Sequence, residues 1–285
     1  CSKAISMAAV SEKDVWDEYW AKKGVVDFEP MPLGVIVTAS GTGSECNGGA
    51  VITNEEVMIK TDRDYPKCNP EFALMDPTYT YTVPTKQMVA GSFDILSHVM
   101  ETYFSEPDED NVSDDISEAL MRDVITSLRA ALVNPEDYTA RSNLMWDATW
   151  ALNTLIGKGK TQDWMVHMLG QAAGAITNAA HGMTLAAVSL PYYRHILPYG
   201  CRSSDVLLSM YGTYRTEGKT DEEIAREGLS AMESWMKELG LVMNLTDLGA
   251  TEEMIPDIVK ATIILNGGYK TLTTEEVEEI LKESL

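Results

Sequence analysis

Positive charge is scarce in this sequence. Its 285 residues carry 22 Lys and Arg against 44 Asp and Glu, a formal net charge of −22 at pH 7. A phosphate backbone is held by clustered cations that release counterions, and no basic run here could supply them, which argues against nucleic-acid binding. An anionic membrane surface is disfavoured on the same ground. Long apolar runs are missing too. No window reaches the ~18 uninterrupted apolar residues of a membrane helix, and the start CSKAISMAAVSEKD lacks the apolar stretch of a signal peptide. Cys1, Cys46, Cys68 and Cys201 are too few and scattered for a disulfide framework and form no CxxC pair. A reducing cytoplasm is the expected location. What the chain does have is 45% apolar residues and 8% aromatics, enough for a large core. Its length sits near two domains of ~150 residues each.

The first stretch has mixed α/β character. SEKDVWDEYWAKKG offers an S-x-x-D start at Ser11, apolar Val15, Trp16, Tyr19 and Trp20, and Gly24 as a stop, which together predict a short helix. PLGVIVTAS is an apolar, β-branched run of strand length, expected to be a buried strand. GAVIT predicts another short strand, and FALMDPTYTYTVP a strand running into an ordered loop, with Pro77 and Pro84 excluding helix between them. From Thr85 onward helical periods take over. SDDISEALMRDVITSLRAAL predicts a helix from Ser113, and NPEDYTARSNLMWDATWALNTLI one capped by Asn134 with Pro135 in the first turn. KTDEEIAREGLSAMESWMKELG stops at Gly240, and TTEEVEEILKESL carries a Thr273/Glu276 capping box. We expect a division into 1–84, a partial α/β domain, and 85–285, an all-helical domain. EPDEDNVSDD lacks EF-hand spacing and is expected to be a solvated acidic loop.

Histidine is also rare, with only His98, His167, His181 and His195. In GSFDILSHVMETYFS, Asp94 and His98 are four apart, so on a helix both project from one face and both can reach one divalent ion. Taken alone, that pair is more simply an Asp bonding a core histidine. His167 and His181 lie in DWMVHMLGQAAGAITNAAHGMTLA, among apolar and small residues where an imidazole is costly unless satisfied, and a backbone carbonyl satisfies either one singly. Three histidines and an aspartate on neighbouring apolar helices shift the balance. A His₃Asp set suits Fe(II) or Zn(II) and leaves a coordination position open for a substrate oxygen. His195, between prolines, is expected to be structural or at the surface. VIVTASGTGSECNGGAVIT runs a strand into a turn rich in amide and hydroxyl donors, able to hold phosphate or ribose oxygens, although neither GxGxxG nor a P-loop is present. Ser40 and Ser44 are not in a G-x-S-x-G elbow, which speaks against a serine hydrolase.

In this order and spacing, TASGTGSECNGGAVIT, ALMDPTYTYTVP, FDILSHVMETYFS, NLMWDATWALNTLIGKGKTQDWMVHMLG and AAHGMTLA resemble the iron-containing (group III) alcohol dehydrogenases, in particular the butanol dehydrogenase and aldehyde reductase branch. The resemblance implies the dehydroquinate synthase-like fold: an α/β remnant of a dinucleotide-binding domain followed by an all-α metal-binding domain, with the active site between them. It places Asp94, His98, His167 and His181 on the metal-ligand positions, and Thr38, Thr42, Asn47 and Lys60 on positions that contact the nicotinamide dinucleotide. It implies Fe(II) or Zn(II) with NADPH or NADH, a small aldehyde or alcohol as substrate, hydride transfer as the reaction, and a homodimer, and the apolar, aromatic neighbourhood with Trp164 beside the first ligand region suits small to medium aldehydes or alcohols.

Two departures from the family pattern stand out. Relatives carry a phosphate-cradling GGGS loop upstream of the segment matching CSKAIS, and residue 1 here is Cys, so we expect a fragment that binds NAD(P)H poorly or not at all, although the gene product it comes from would bind it. One turn after His167 the family usually has a second histidine near the substrate, where this chain has Gln171. A glutamine hydrogen-bonds but exchanges no proton near neutral pH, so water or a cofactor hydroxyl must relay the proton, or turnover is slow. Two alternatives remain open from sequence: a metal-binding remnant without dinucleotide binding, and a non-redox lyase or synthase on the related scaffold.

Overall fold

The computed structural model describes residues 1–107, 111–200 and 217–285. Residues 108–110 of the acidic segment, and 201–216 with Cys201, lie outside the described residues. The first part contains helix α1 (Ser2–Ala8), a π-helical turn Trp16–Ala21, and strands β1 (Gly34–Ile36), β2 (Gly49–Asn54), β3 (Ile59–Asp64) and β4 (Phe72–Leu74). β1 and β4 run parallel with Gly34 opposite Phe72, while β2 and β3 are antiparallel with Gly49 opposite Asp64. A small core of Met7, Tyr19, Trp20, Val26, Ala50 and Cys68 joins these pieces. Backbone satisfies Trp20 in this core and Tyr65 packed against it: Trp20 Nε1 donates to Ala50 O at 3.1 Å and Tyr65 Oη to Tyr19 O at 2.6 Å.

Two expectations for this part are corrected. Ser11 does not start a helix. Its Oγ accepts the Lys13 amide in a local turn, and Asp14 instead accepts the Asp17 amide at 2.8 Å, leaving only the six-residue π turn. PLGVIVTAS yields three strand residues rather than a buried strand. β1 pairs only with β4 among the described residues, and one such pair cannot cover both faces, so Ile36 is 57% exposed and Phe72 61%. β2 falls on GAVIT as expected. β4 runs into a 3₁₀ turn, Pro77–Thr80, capped by Asp76.

The second part is helical: α2 (Thr85–Tyr103), α3 (Val112–Val133), α4 (Tyr138–Leu152), α5 (Met165–Thr177), α6 (His181–Ile196), α7 (Asp221–Glu238), α8 (Ile255–Ala261) and α9 (Thr274–Glu283). Of the 19 residues in α2, 15 are buried, so this helix is the axis around which α3, α4, α5 and α6 pack. Phe93, Ile95, Leu96, Val99 and Met100 of α2 meet Met121, Val124 and Leu128 of α3 and Leu185 and Val188 of α6 in a core that shares no member with the first. Each such side chain contributes about 1.5–3 kcal/mol by leaving water.

Helix ends follow side-chain competition for free amides. α7 and α9 begin with the capping boxes Thr220/Glu223 and Thr273/Glu276, and Gly240 ends α7 at φ +68°. α3 starts on Asn111 rather than Ser113, because Asn111 Oδ1 accepts the Asp114 amide while Ser113 Oγ turns to Lys158 O. α4 is capped by Asp137, which accepts the Ala140 amide at 2.9 Å; Asn134 is spent on a turn that accepts the Glu136 amide. The acidic segment is not wholly solvated either. Asp114 is buried and pairs with the buried Lys160 at 3.3 Å.

Candidate metal centre

The period of α2 puts Asp94, His98 and Glu101 at i, i+4 and i+7 on one buried face. His167 stands in the first turn of α5 and His181 opens α6. Two glycines let these elements close on α2. A Cβ at Gly182 would lie 2.0 Å from Ala90 O, and one at Gly91 2.3 Å from Ser40 O, so α6 and the Gly-rich turn both rest directly on the α2 backbone.

The result is a convergence on one atom. Asp94 Oδ1 lies 3.7 Å from His98 Nε2, 3.5 Å from His167 Nε2 and 3.5 Å from His181 Nε2. These separations are too long for good hydrogen bonds. Asp94 Oδ1 and His167 Nε2 are buried without any hydrogen-bond partner. An uncompensated buried carboxylate oxygen facing three imidazoles is costly unless a cation lies between them. Ligands about 2.1 Å from a tetrahedral divalent ion sit about 3.4 Å from one another, close to the three separations from Asp94 Oδ1. Asp94, His167 and His181 have ligand atoms all within 4.8 Å of one another. His98 joins them through Asp94 and stacks on His167 with ring centroids 4.6 Å apart.

Electrostatics favour the same reading. Burial pushes His98 and His181 well below the ordinary histidine value, so both are neutral imidazoles with a lone pair to give. Burial alone would raise Asp94, but the surrounding histidines hold its carboxyl far below the usual carboxylate range. His167 goes the other way: burial would lower it, and Glu101 and Asp94 raise it. Asp94 as carboxylate with His98 and His181 as neutral imidazoles is the ligand state a divalent ion requires, and binding such an ion at His167 would displace the proton its two acids hold there.

One more acid joins the cluster without having been singled out in the sequence: Glu101. It is fully buried, contacts His167 Nδ1 through Oε2, and accepts the His167 amide through Oε1 at 3.1 Å. Next to it, Asp163 accepts the Met165 amide and the Tyr192 hydroxyl, and burial with the nearby Glu101 charge pushes it up to about 7. Its sequence signal is weak, an acid seven residues after Asp94 on the helix face that Asp94 and His98 share.

A cleft of about 520 Å³ joins the two parts and is lined by His98, His167 and His181 on one side and by Thr42 and Asn47 on the other. Among the dinucleotide candidates, Thr42 and Asn47 reach it. The Asn47 amide is already engaged, donating to Gly43 O and accepting from Gly49 N and Lys3 Nζ, so it shapes the Gly-rich turn. Thr38 is exposed outside the lining, and Lys60 is half-buried beside Gly174, its amine lowered by burial and raised by the Asp94 charge. Gln171 lines the cleft and its buried Oε1 has no partner. The Trp164 ring stands 5.9 Å from His98 and 5.3 Å from His167. His195 lies away from the cluster, 3.3 Å from Glu276.

Comparison with known proteins shows the family of the chain. Residues 1–77 match the iron-containing alcohol dehydrogenase family and residues 88–285 the C-terminal part of the Fe-containing alcohol dehydrogenase family. The chain is 32% identical to the NADH-dependent butanol dehydrogenase A of Clostridium acetobutylicum, covering 100% of this chain and 74% of that one. It is 34% identical to the NADPH-dependent aldehyde reductase YqhD of Escherichia coli over 81% of this chain and 59% of that one. The crystal structure of NADH-dependent butanol dehydrogenase A from Thermotoga maritima superposes with a TM-score of 0.91 at 30% identity, covering 99% of this chain and 72% of that one.

Proposed function

We propose that this chain, which belongs to the iron-containing alcohol dehydrogenase family, interconverts primary alcohols and aldehydes by exchanging hydride with NADH or NADPH beside a divalent metal ion. The observation that carries the site is the convergence of three imidazole Nε2 atoms on one unpartnered buried carboxylate oxygen. Asp94, His98, His167 and His181 would hold Fe(II) or Zn(II). When bound, the ion supplies Lewis acidity toward the oxygen of the carbonyl or alcohol.

The chain's own side chains do the remaining work. Burial keeps His98 and His181 neutral and therefore able to ligate. Trp164, Met168, Ile156 and Leu265 make an apolar wall of the cleft that limits water near the reacting carbon. Thr42 offers a hydroxyl from the opposite wall, where the nicotinamide would approach. Thr38, Asn47 and Lys60 complete the proposed dinucleotide-binding set, with Asn47 acting through the turn it braces. Gln171 can hydrogen-bond substrate but moves no proton near neutral pH, so the proton leaves through water or a cofactor hydroxyl. The same reading assigns 1–84 to the dinucleotide side and 85–285 to the metal side. It also includes a cytoplasmic homodimer, supported by the free thiols of Cys1, Cys46 and Cys68 and by the exposed Ile36, Phe72 and Leu74.

The test is loss of absorbance by NADH or NADPH with butanal, on protein stripped by chelator and then reloaded with Fe(II) or Zn(II). We expect aldehyde-dependent oxidation only after reloading. Equal rates in stripped and reloaded protein, or none in either, contradict the proposal.

A further inference from the structure

We infer that Glu101 is a positioning residue that sets the metal affinity of the centre by holding His167 at two points, an inference that rests on reading Asp94, His98, His167 and His181 as metal ligands. The contact is bidentate on a single residue. Oε2 meets the ring at Nδ1 and Oε1 accepts the backbone amide at 3.1 Å. A carboxylate oxygen can only accept, so of the two neutral tautomers only the one protonated at Nδ1 fits this contact, and it leaves the lone pair on Nε2, the atom 3.5 Å from Asp94 Oδ1. One acid thereby chooses both the tautomer and the orientation of a ligand.

The local backbone shows why an outside acid is needed. α5 begins after Trp164, which is left-handed at φ +62° and supplies no side-chain cap. Its first amides are satisfied instead by Asp163, for Met165, and by Glu101 from α2, for His167. Glu101 is itself anchored, since its carbonyl accepts the Asp163 amide at 2.9 Å. With Glu101 fully buried, no water competes for either contact.

The experiment is zinc affinity, measured by competition with a chromophoric chelator, for wild type, Glu101→Gln and Glu101→Ala, with the unfolding temperature of each metal-free protein measured in parallel. Glutamine has one accepting oxygen where glutamate has two, so if that oxygen takes the amide, its NH2 faces Nδ1 and favours the tautomer that moves the lone pair off Nε2. We expect affinity to fall about 10-fold in Glu101→Gln and up to about 100-fold in Glu101→Ala. A purely structural role would lower the unfolding temperature and leave the affinity of the folded protein unchanged. Wild-type affinity in folded Glu101→Gln overturns the inference while leaving the metal reading intact. A wild-type chain that takes up no zinc overturns the metal reading itself.

Discussion

Asp147 is a buried acid with no part in the proposed chemistry. It lies on α4, its Oδ2 has no hydrogen-bond partner, and burial followed by the charge of Asp123 pushes it up to about 8. The folded chain therefore keeps a proton that the unfolded chain, near the ordinary value of 3.8, has already released. Stability contributed at this site falls as pH rises from about 4 to about 8 and is lowest above that window. Asp147→Asn removes the titration and can still donate to Asp123. Its gain over wild type is expected to be small at pH 4 and to grow to about 1–3 kcal/mol at pH 8, read from urea unfolding at both values. A difference independent of pH would contradict this. At the same scale, the nearness of Asp94 and His98 was legible from helical spacing, and the need of buried His167 and His181 for a polar partner from their apolar company. Glu101 was not, because its partner is 66 residues away and only the fold brings them together.

Elements place these residues, and α6 does so through one glycine. Gly182 follows His181 and rests against Ala90 O, where an added Cβ would come within 2.0 Å. Gly182→Ala must lift the start of α6 off α2 and carry His181 away from Asp94. We expect overpacking to cost about 1–3 kcal/mol of stability, with weaker zinc affinity in the chelator competition as well. Unchanged affinity would mean that α6 does not position His181. Helix existence was legible from apolar period and from the capping boxes of α7 and α9, which are local patterns. The starts of α3 and α4 were shifted because several Asn, Ser and Asp residues compete for the same amides, and geometry decides which one wins. β1 was overestimated because its sequence reports apolarity and not the number of neighbouring strands.

For the whole molecule, two separate cores and a cleft between them bring a carboxylate-imidazole cluster on the helical side to face a Gly-rich turn on the other. The change from mixed to helical pattern near Thr85 was visible in sequence, whereas the seating of the turn on α2 through Gly91 depends on contacts between segments about 50 residues apart. The net charge of −22 sharpens the point, since an anionic dinucleotide must be drawn by local donors against the overall field. The proposed ligands come from α2, α5 and α6, so the cluster exists only in the folded chain. Metal content after purification and dialysis, measured by mass spectrometry for wild type and Asp94→Ala, tests this most directly. The predicted result is about one Fe or Zn per wild-type chain and essentially none in Asp94→Ala. Equal metal content in the two, or none in wild type after incubation with Fe(II) or Zn(II), would contradict it.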